Sequence, residues 1–157
     1  MTELTGEYTC KLDAKGRMVV PALLKKQIPS IEQEGLIVNR GFEKNLVIYP
    51  RSEWSKMMRQ LSRLNKFKAE NRNFIRKFMS GATELTLDSA NRVLLPKSLM
   101  EYAEISGELM LACQFDRIEV WSKSVYLETL GEMSEDDFAT LGEKVMGGLD
   151  IGDLENE

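Results

Sequence analysis

Alternating apolar and polar positions near the start of the chain predict short strands. Tyr8, Cys10 and Leu12 alternate with polar residues, which is typical of a strand over 7–13 with one buried face. The turn sequence DAKG follows, then an apolar strand over 17–20, and then Pro21, which favours the start of a helix that ends by Pro29. Apolar runs on either side of GFEK predict a hairpin of strands 36–39 and 45–49. The predicted order is β-β-α-β-β.

The same order is repeated about 75 residues later. LDAKGRMVVP (12–21) and LDSANRVLLP (87–96) share Leu, Asp, Arg and Pro in register. The second copy predicts strands at 84–87 and 92–95, a helix from Pro96, and strands at 108–113 and 117–121. A unit of roughly 45 residues is near the lower limit for folding alone, and its strand edges would lie unpaired. We therefore expect the two copies to pair strands with each other in one pseudo-symmetric α+β body.

Apolar residues at helical spacing predict helices between and after the two copies. A stripe from Trp54 to Leu64 begins after Ser52, the expected N-cap, and a second stripe follows a break near Asn65. Ser134 resembles the N-cap of a C-terminal helix. The predicted segments are a first DNA-binding unit at 7–54, a helical connector at 55–81, a second unit at 82–126, C-terminal helices at 127–145 and a disordered acidic tail at 146–157.

Composition argues against several classes of protein. The 157 residues are 43% hydrophobic and 29% charged, no apolar stretch approaches the ~20 residues that span a bilayer, and the first ten residues do not resemble a signal peptide. We therefore expect a cytoplasmic protein without membrane contact. Histidine is absent, the two cysteines show no ligand spacing, and no phosphate-binding loop is present. The sequence predicts no enzyme, no metal site, no cofactor and no catalytic residue.

The net charge of −4 hides an uneven distribution of charge. Residues 55–79 carry eight basic residues and one acid, whereas residues 128–157 carry ten acids and one base. Because the basic residues alternate with an apolar stripe, most of them are expected to form the solvated face of the connector helices. The aromatic residues Tyr49, Trp54, Trp121 and Tyr126 are expected to pack in the core or between subunits and not to stack on bases.

The repeated frame combines turn-forming residues with an arginine. Asp13 and Asp88 are expected to form the turns, because aspartate can bond its own backbone and can bridge an arginine four residues later. Gly16 supplies a positive φ in the first turn. Asn91 stands at the same place in the second turn, and asparagine also tolerates the left-handed conformation.

Three basic side chains favour a nucleic-acid contact at the first turn. Lys11, Lys15 and Arg17 alternate along the strand–turn–strand, so they are expected to emerge opposite the apolar face. A cationic two-stranded ribbon fits a major groove about 12 Å wide, where arginine binds guanine bidentately and lysine contacts phosphate. The second copy has Ala90 where the first has Lys15, so the first turn is the stronger candidate.

Several motifs together resemble one protein family. The doubled L-D-x-x-x-R frame, SGATE (80–84) and NRGFEKNLVIYP (39–50) resemble MraZ, a family of bacterial transcriptional regulators built from two AbrB-like units. The resemblance implies an AbrB-like swapped-hairpin β-barrel of the double-ψ type, made from two tandem β-β-α-β-β units with flanking helices. It also implies a nucleoid-associated ring of subunits that binds short direct DNA repeats upstream of the division and cell-wall genes, often as a repressor. The implied DNA contacts are Lys15, Arg17 and Arg92.

A second interpretation stays open at this stage. Single-copy AbrB-like relatives include antitoxins, which occupy a toxin with a disordered acidic C-terminal extension. Residues 146–157 could serve in that way as a protein-interaction module. The fused second copy and the helical connector favour the regulator, in which many weak contacts add up by avidity.

Overall fold

The computed structural model describes residues 3–149. Its elements are β1 (Glu7–Lys11), β2 (Arg17–Val19), α1 (Ala22–Gln27), α2 (Ile31–Glu34), β3 (Leu36–Arg40), β4 (Leu46–Pro50), α3 (Arg51–Ser62), α4 (Ala69–Met79), β5 (Thr83–Leu85), β6 (Arg92–Leu94), α5 (Lys97–Tyr102), β7 (Glu108–Gln114), β8 (Arg117–Ser122), α6 (Lys123–Gly131) and α7 (Glu135–Gly147). The chain divides into two compact units, residues 1–123 and 124–157, and all of these strands belong to the first.

The order of the strands shows how the two copies are combined. Six strands form one sheet in the order β1-β7-β8-β4-β3-β5, and β2 pairs with β6 in a separate ribbon. Exchanging each strand for its counterpart in the other copy (β1 for β5, β3 for β7, β4 for β8) reproduces the same order read backwards. The compact unit of residues 1–123 is therefore pseudo-two-fold symmetric. The predicted pairing of strands between the two copies is confirmed.

The main core is formed by buried side chains from strands of both copies. Alternate residues of β3 and β4 point into it, together with alternate residues of β7 and β8, as period-two alternation requires. Its fully buried members include Val38, Leu46, Leu109, Leu111 and Val120. Because both copies contribute to this main core, neither copy can complete it alone.

The β3–β4 hairpin buries its other face as well. Ile37, Val47 and Tyr49 form a second apolar cluster with Trp54 from α3 and Phe78 from α4. This explains why β4 reads as a continuous apolar run, LVIYP, instead of alternating. Tyr49 and Trp54 are therefore core residues, as the sequence predicted.

Local details of the helices partly differ from the sequence prediction. Ser52 is not an N-cap, because β4 runs to Pro50 and α3 begins directly at Arg51 without a side-chain cap. The short helix α2 was not predicted. The Ser134 cap is confirmed, since its Oγ accepts a hydrogen bond from the Asp137 amide at 3.1 Å. Helix α7 then continues to Gly147, two residues into the segment assigned to the tail, whose residues 150–157 lie outside the described part of the chain.

Candidate nucleic-acid interface

The ribbon of β2 and β6 carries one arginine from each copy. Arg17 lies opposite Leu94, and Val19 lies opposite Arg92, in antiparallel register. Between them Met18 and Val93 are buried, so the alternating residues face outward. The outward face holds Arg17, Val19, Arg92 and Leu94, and the apolar pair is more than half exposed. The ribbon expected from the strand–turn–strand of the first copy is wrong, because β1 pairs with β7 and β2 with β6.

Asp13 organises the first turn around its carboxylate. Its Oδ1 accepts hydrogen bonds from the backbone amides of Lys15 and Arg17, both at 2.9 Å. Its Oδ2 accepts a third from the Nε of Arg17 at 2.7 Å. Gly16 completes the turn with a φ of +84°, a conformation that costs glycine little. The side chain of Arg17 is therefore held at one nitrogen by a residue of its own turn.

The second turn repeats this geometry atom for atom. Asp88 Oδ1 accepts from the amides of Ala90 and Arg92 at 2.9 Å, and its Oδ2 accepts from the Nε of Arg92 at 2.8 Å. Asn91 takes the place of glycine with a φ of +60°. The left-handed position is thus filled by one of the few side chains that adopt it readily.

The two turns also contact each other across the pseudo-two-fold axis. The carbonyl of Gly16 accepts a hydrogen bond from the amide of Leu95 at 3.0 Å, and the carbonyl of Asn91 accepts one from the amide of Val20 at 2.9 Å. Each left-handed residue therefore anchors the end of the other copy's ribbon strand. The two arginines occupy one shared, rigid frame and not two separate loops.

Each arginine of the ribbon is paired with the carboxylate of its own turn, Arg17 with Asp13 and Arg92 with Asp88. The hydrogen bond from the backbone amide of Arg17 lowers the pKa of Asp13, with further help from the guanidinium, and Arg92 acts on Asp88 in the same way. Both carboxylates are therefore ionised at neutral pH. Each arginine is bonded to the carboxylate of its own turn through Nε, so its terminal Nη groups are not used by that hydrogen bond.

Lysines surround the ribbon unevenly. Lys15 is exposed at the tip of the first turn. The second turn has Ala90 there, but Lys25 of α1 reaches it and donates to Asn91 Oδ1 at 3.0 Å, while also binding Glu32 at 2.7 Å. The second turn therefore acquires a cation from the other copy, which sequence reasoning missed. Lys11 is exposed on β1, opposite Glu108 in the register, and so lies on a different strand pair from the ribbon.

Two grooves flank the ribbon at equivalent places in the two copies. One, of about 570 Å³, is lined by Lys15, Gly16, Leu95 and Lys97. The other, of about 590 Å³, is lined by Val20, Lys25, Lys26 and Asn91. Each groove thus carries two lysines beside one turn. Lys26 and Lys97 were not predicted as site residues, because nothing in their local sequence distinguishes them from other surface lysines.

The basic residues of the connector do not belong to this interface. These residues lie on α3, α4 and the segment between them, and none of them lines either groove. Among residues 3–149, no group of three or more acidic, cysteine or histidine side chains could hold a metal ion. In the same residues, no helix is both long enough and apolar enough to cross a bilayer.

Comparison with known proteins places both copies in one family. The sequence matches the family described as MraZ protein, which that description provisionally calls antitoxin-like, over residues 4–77 and again over residues 78–147. The boundary between the two matches falls just before β5, where the second copy begins.

Named relatives cover nearly the full length. A protein of Christiangramia forsetii is 43% identical over 96% of this chain and 97% of its own. Proteins of Flavobacterium psychrophilum, 38% identical over 95% of both chains, and of Cytophaga hutchinsonii, 40% identical over 90% and 93%, are similar as well. Each carries the name transcriptional regulator MraZ. With two matches of the family pattern and relatives of this similarity, the chain belongs to the MraZ family.

Proposed function

We propose that this protein is a transcriptional regulator, not an enzyme, that binds double-stranded DNA with its β2–β6 ribbon. The observation that carries the proposal is the pair of equivalent Asp–Arg turns on one exposed ribbon. The names of the relatives agree with it. A regulator of this kind acts in the cytoplasm, at the nucleoid.

The two arginines supply the side chains that would recognise bases. An arginine held at Nε by a carboxylate keeps its terminal N–H groups free to form the two parallel bonds that guanine O6 and N7 accept. Fixing the side chain in advance lowers the conformational entropy lost on binding. Arg17 and Arg92 stand diagonally on the ribbon, so they address neighbouring positions in one groove. Val19 and Leu94 lie between them and suit contact with a thymine methyl group.

The lysines supply the contacts with phosphate. Lys15 and Lys97 on one side of the ribbon, and Lys25 and Lys26 on the other, lie where the DNA backbone passes when a ribbon enters the major groove. Their placement gives the interface a local excess of positive charge, four lysines against Glu32 in the two grooves, although the net charge of the chain is −4. Lys11, on β1 and outside the ribbon, is the fifth lysine that we propose to contact DNA.

The resemblance supports the finer parts of the proposal. The exchanged strands form the swapped-hairpin barrel of AbrB-like proteins. Subunits assemble into a ring that binds short direct repeats, and the protein represses the division and cell-wall genes from its own promoter region. Weak contacts at successive repeats then combine into strong binding by avidity.

The test compares binding to DNA from upstream of the gene with binding to scrambled DNA at matched salt. Arg17→Ala and Arg92→Ala should each cost about 1–3 kcal/mol per bound repeat and lower discrimination at one base position. Lys97→Ala should weaken binding to both DNAs equally and reduce the salt dependence. Arg63→Ala on the connector removes the same charge outside the interface and serves as the control. Sequence-specific binding that survives both ribbon substitutions would overturn the proposal.

A second candidate function rests on the family description, which names antitoxins. In that case residues 146–157 would bind a protein partner. Removing these residues should leave DNA binding intact if the protein is a regulator of the proposed kind. Loss of a co-purifying protein, with no change in DNA binding, would support the interaction module.

A further inference from the structure

The two grooves beside the ribbon are equivalent in position but differ in chemistry. One is the Asn91 groove and the other is the Gly16 groove, after the left-handed turn residue that lines each. The spacing that relates the two copies places Asn91 at the position of Gly16, and it places Lys25 at the position of Met100. Lys25 lines the Asn91 groove, and Met100 lines the Gly16 groove. Two polar residues in one groove are therefore replaced by an apolar residue and a glycine in the other.

In each groove the two exchanged residues are direct neighbours. Lys25 Nζ donates a hydrogen bond to Asn91 Oδ1 at 3.0 Å. In the Gly16 groove, the methyl carbon of Met100 lies 3.0 Å from the place where a Cβ atom on Gly16 would be. The two differences between the grooves are therefore coupled, because methionine fills the space beside a glycine and lysine binds the amide that replaces it.

The bond from Lys25 fixes the orientation of the Asn91 amide. An ammonium group can only donate hydrogen bonds, so the oxygen of the amide must face it. Glu32 accepts a hydrogen bond from the same ammonium group at 2.7 Å, so the lysine is held by two partners. The amide nitrogen, Nδ2, is not used by these bonds and carries two N–H donors. Asn91 therefore offers its donors to a ligand in preference to its acceptor.

The amide lies at the edge of the outward face of the ribbon. Asn91 is exposed and directly precedes Arg92 in the chain. Val19, which belongs to the outward face, lines the same groove as Asn91. The backbone of Asn91 is fixed by its φ of +60° and by the hydrogen bond that its carbonyl accepts from the amide of Val20. A polar side chain is therefore held in place beside an arginine that would recognise a base.

We propose that Asn91 is a specificity-determining residue, which donates through Nδ2 to a guanine next to the base that Arg92 contacts. Guanine presents two acceptors in the major groove, N7 and O6, whereas adenine presents the acceptor N7 beside the N6 donor. The positive charge of Lys25 at the amide oxygen disfavours the approach of the N6 donor. The pair therefore selects guanine, although an asparagine with a free oxygen is suited to adenine.

This residue also gives the ribbon a direction on DNA. A two-fold symmetric reading surface matches a palindromic site, because its two halves present the same groups. The lysines do not give a direction, since each groove carries two and contacts with phosphate carry no sequence information. Asn91 has a glycine as its counterpart, so the two halves of a site are read differently. The inference rests on the proposed function, in which the sites are direct repeats and all have the same orientation.

The experiment measures the base preference at every position of one repeat. Duplex DNA from upstream of the gene, with one repeat randomised, is bound at fixed salt, and the bound and unbound fractions are sequenced. The unmodified protein should prefer guanine to adenine about fivefold or more at the position that Asn91 reads. Asn91→Gly should remove that preference. Asn91→Asp has acceptors only, so it should replace the preference for guanine by one for cytosine, whose N4 group donates.

Lys25→Met tests the positioning role of the lysine, because it introduces the residue of the Gly16 groove. Without the ammonium group, the amide oxygen can accept from adenine N6, so the preference should move from guanine to adenine at the same position. Lys25→Arg keeps a cationic donor and should retain guanine. Asn73→Asp makes the same change of amide to carboxylate on α4, in a residue that lines neither groove, and should leave every preference unchanged. Thermal melting checks that each variant is folded.

The outcomes separate this inference from the proposed function. Unchanged preferences in Asn91→Gly, Asn91→Asp and Lys25→Met would overturn the inference, whereas loss of preference in Arg17→Ala and Arg92→Ala would leave the proposed function standing. Equal weakening on all sequences would also overturn the inference, because that is the behaviour of a phosphate contact. A palindromic set of preferences in the unmodified protein would overturn the direction. Binding without any base preference would overturn both the inference and the proposed function.

Discussion

Arg92 lies with its Nη1 4.0 Å from Oδ2 of Asp13, a residue of the other copy. The same oxygen accepts the hydrogen bond from Arg17 Nε at 2.7 Å. The carboxylate of Asp13 therefore faces both arginines of the ribbon. Among the ion pairs in residues 3–149, Asp88 is paired with Arg92 alone. The two turns are nearly symmetric, but the carboxylate of the first copy lies near both arginines, whereas that of the second copy lies near one.

This asymmetry predicts unequal effects of two matched substitutions. Asp13→Asn should lower the ratio of affinities for upstream and scrambled DNA by roughly threefold to tenfold, because both arginines lose an orienting charge. Asp88→Asn should lower it less. Affinity for scrambled DNA should rise in both variants, since each removes a negative charge near phosphate. Titration of both DNAs at several salt concentrations measures these effects, and an equal loss for the two variants would contradict the asymmetry.

The lowered pKa values of Asp13 and Asp88 predict a dependence of stability on pH. Their folded-state pKa values lie below those of the unfolded chain, so the ionised carboxylates stabilise the fold at pH values above about 4. This contribution is lost as the pH falls through their folded-state pKa values. The melting temperature of the unmodified protein should exceed that of the Asp13→Asn, Asp88→Asn variant by a constant amount between pH 5 and 7. The difference should close below about pH 4; a constant difference down to pH 2 would contradict the assignment.

Gly16 is the position in the ribbon frame where a side chain should be least tolerated. An added Cβ would lie 3.0 Å from Met100 Cε, and the φ of +84° disfavours every L-residue. Gly16→Ala should therefore lower the free energy of unfolding by about 1–2 kcal/mol. Asn91→Gly is the matched control, because glycine adopts the same conformation and loses only the exposed hydrogen bond to Lys25. Urea denaturation distinguishes the two, and equal stability of both variants would contradict the prediction.

Trp54 should matter for folding and not for DNA binding. It is 8% exposed and packs between Tyr49, 5.5 Å away by ring centroids, and Phe78, 6.3 Å away. Trp54→Ala should cost about 3–5 kcal/mol of stability, because it leaves a cavity beneath α3. The folded fraction should bind upstream DNA with unchanged affinity. Weakened DNA binding at full stability would instead identify Trp54 as a base-stacking residue.

Features set by neighbouring residues could be predicted from the sequence. The Asp–Arg bond spans four positions, and the turn conformations depend on Gly16 and Asn91 themselves. The pairing of strands between the copies could also be predicted from the sequence. Two short units with unpaired strand edges can cover those edges by pairing them with each other. Period-two alternation and short apolar runs together predicted the strands to within two residues at each end.

Features that depend on distant partners could not be predicted. Lys25 and Asn91 are 66 positions apart, and they meet only because β2 pairs with β6. The hydroxyl of Tyr102 fixes a turn about 60 residues earlier. The helix α2 has four residues, which is too short for a periodic pattern. The DNA contacts of Lys11, Lys15, Arg17 and Arg92 stay predictions until the binding experiments are done.

The palindromic strand order has a consequence for the synthesis of the protein. Strand β1 pairs with β7, and β4 pairs with β8. The strands of the first copy therefore cannot complete their pairing until the chain has been synthesised as far as Ser122, the end of β8. Until then the first copy leaves the ribosome with open strand edges and half of a core. Such long-range pairing slows folding and exposes the nascent chain to aggregation. Folding of the first copy is therefore timed by the translation of the second.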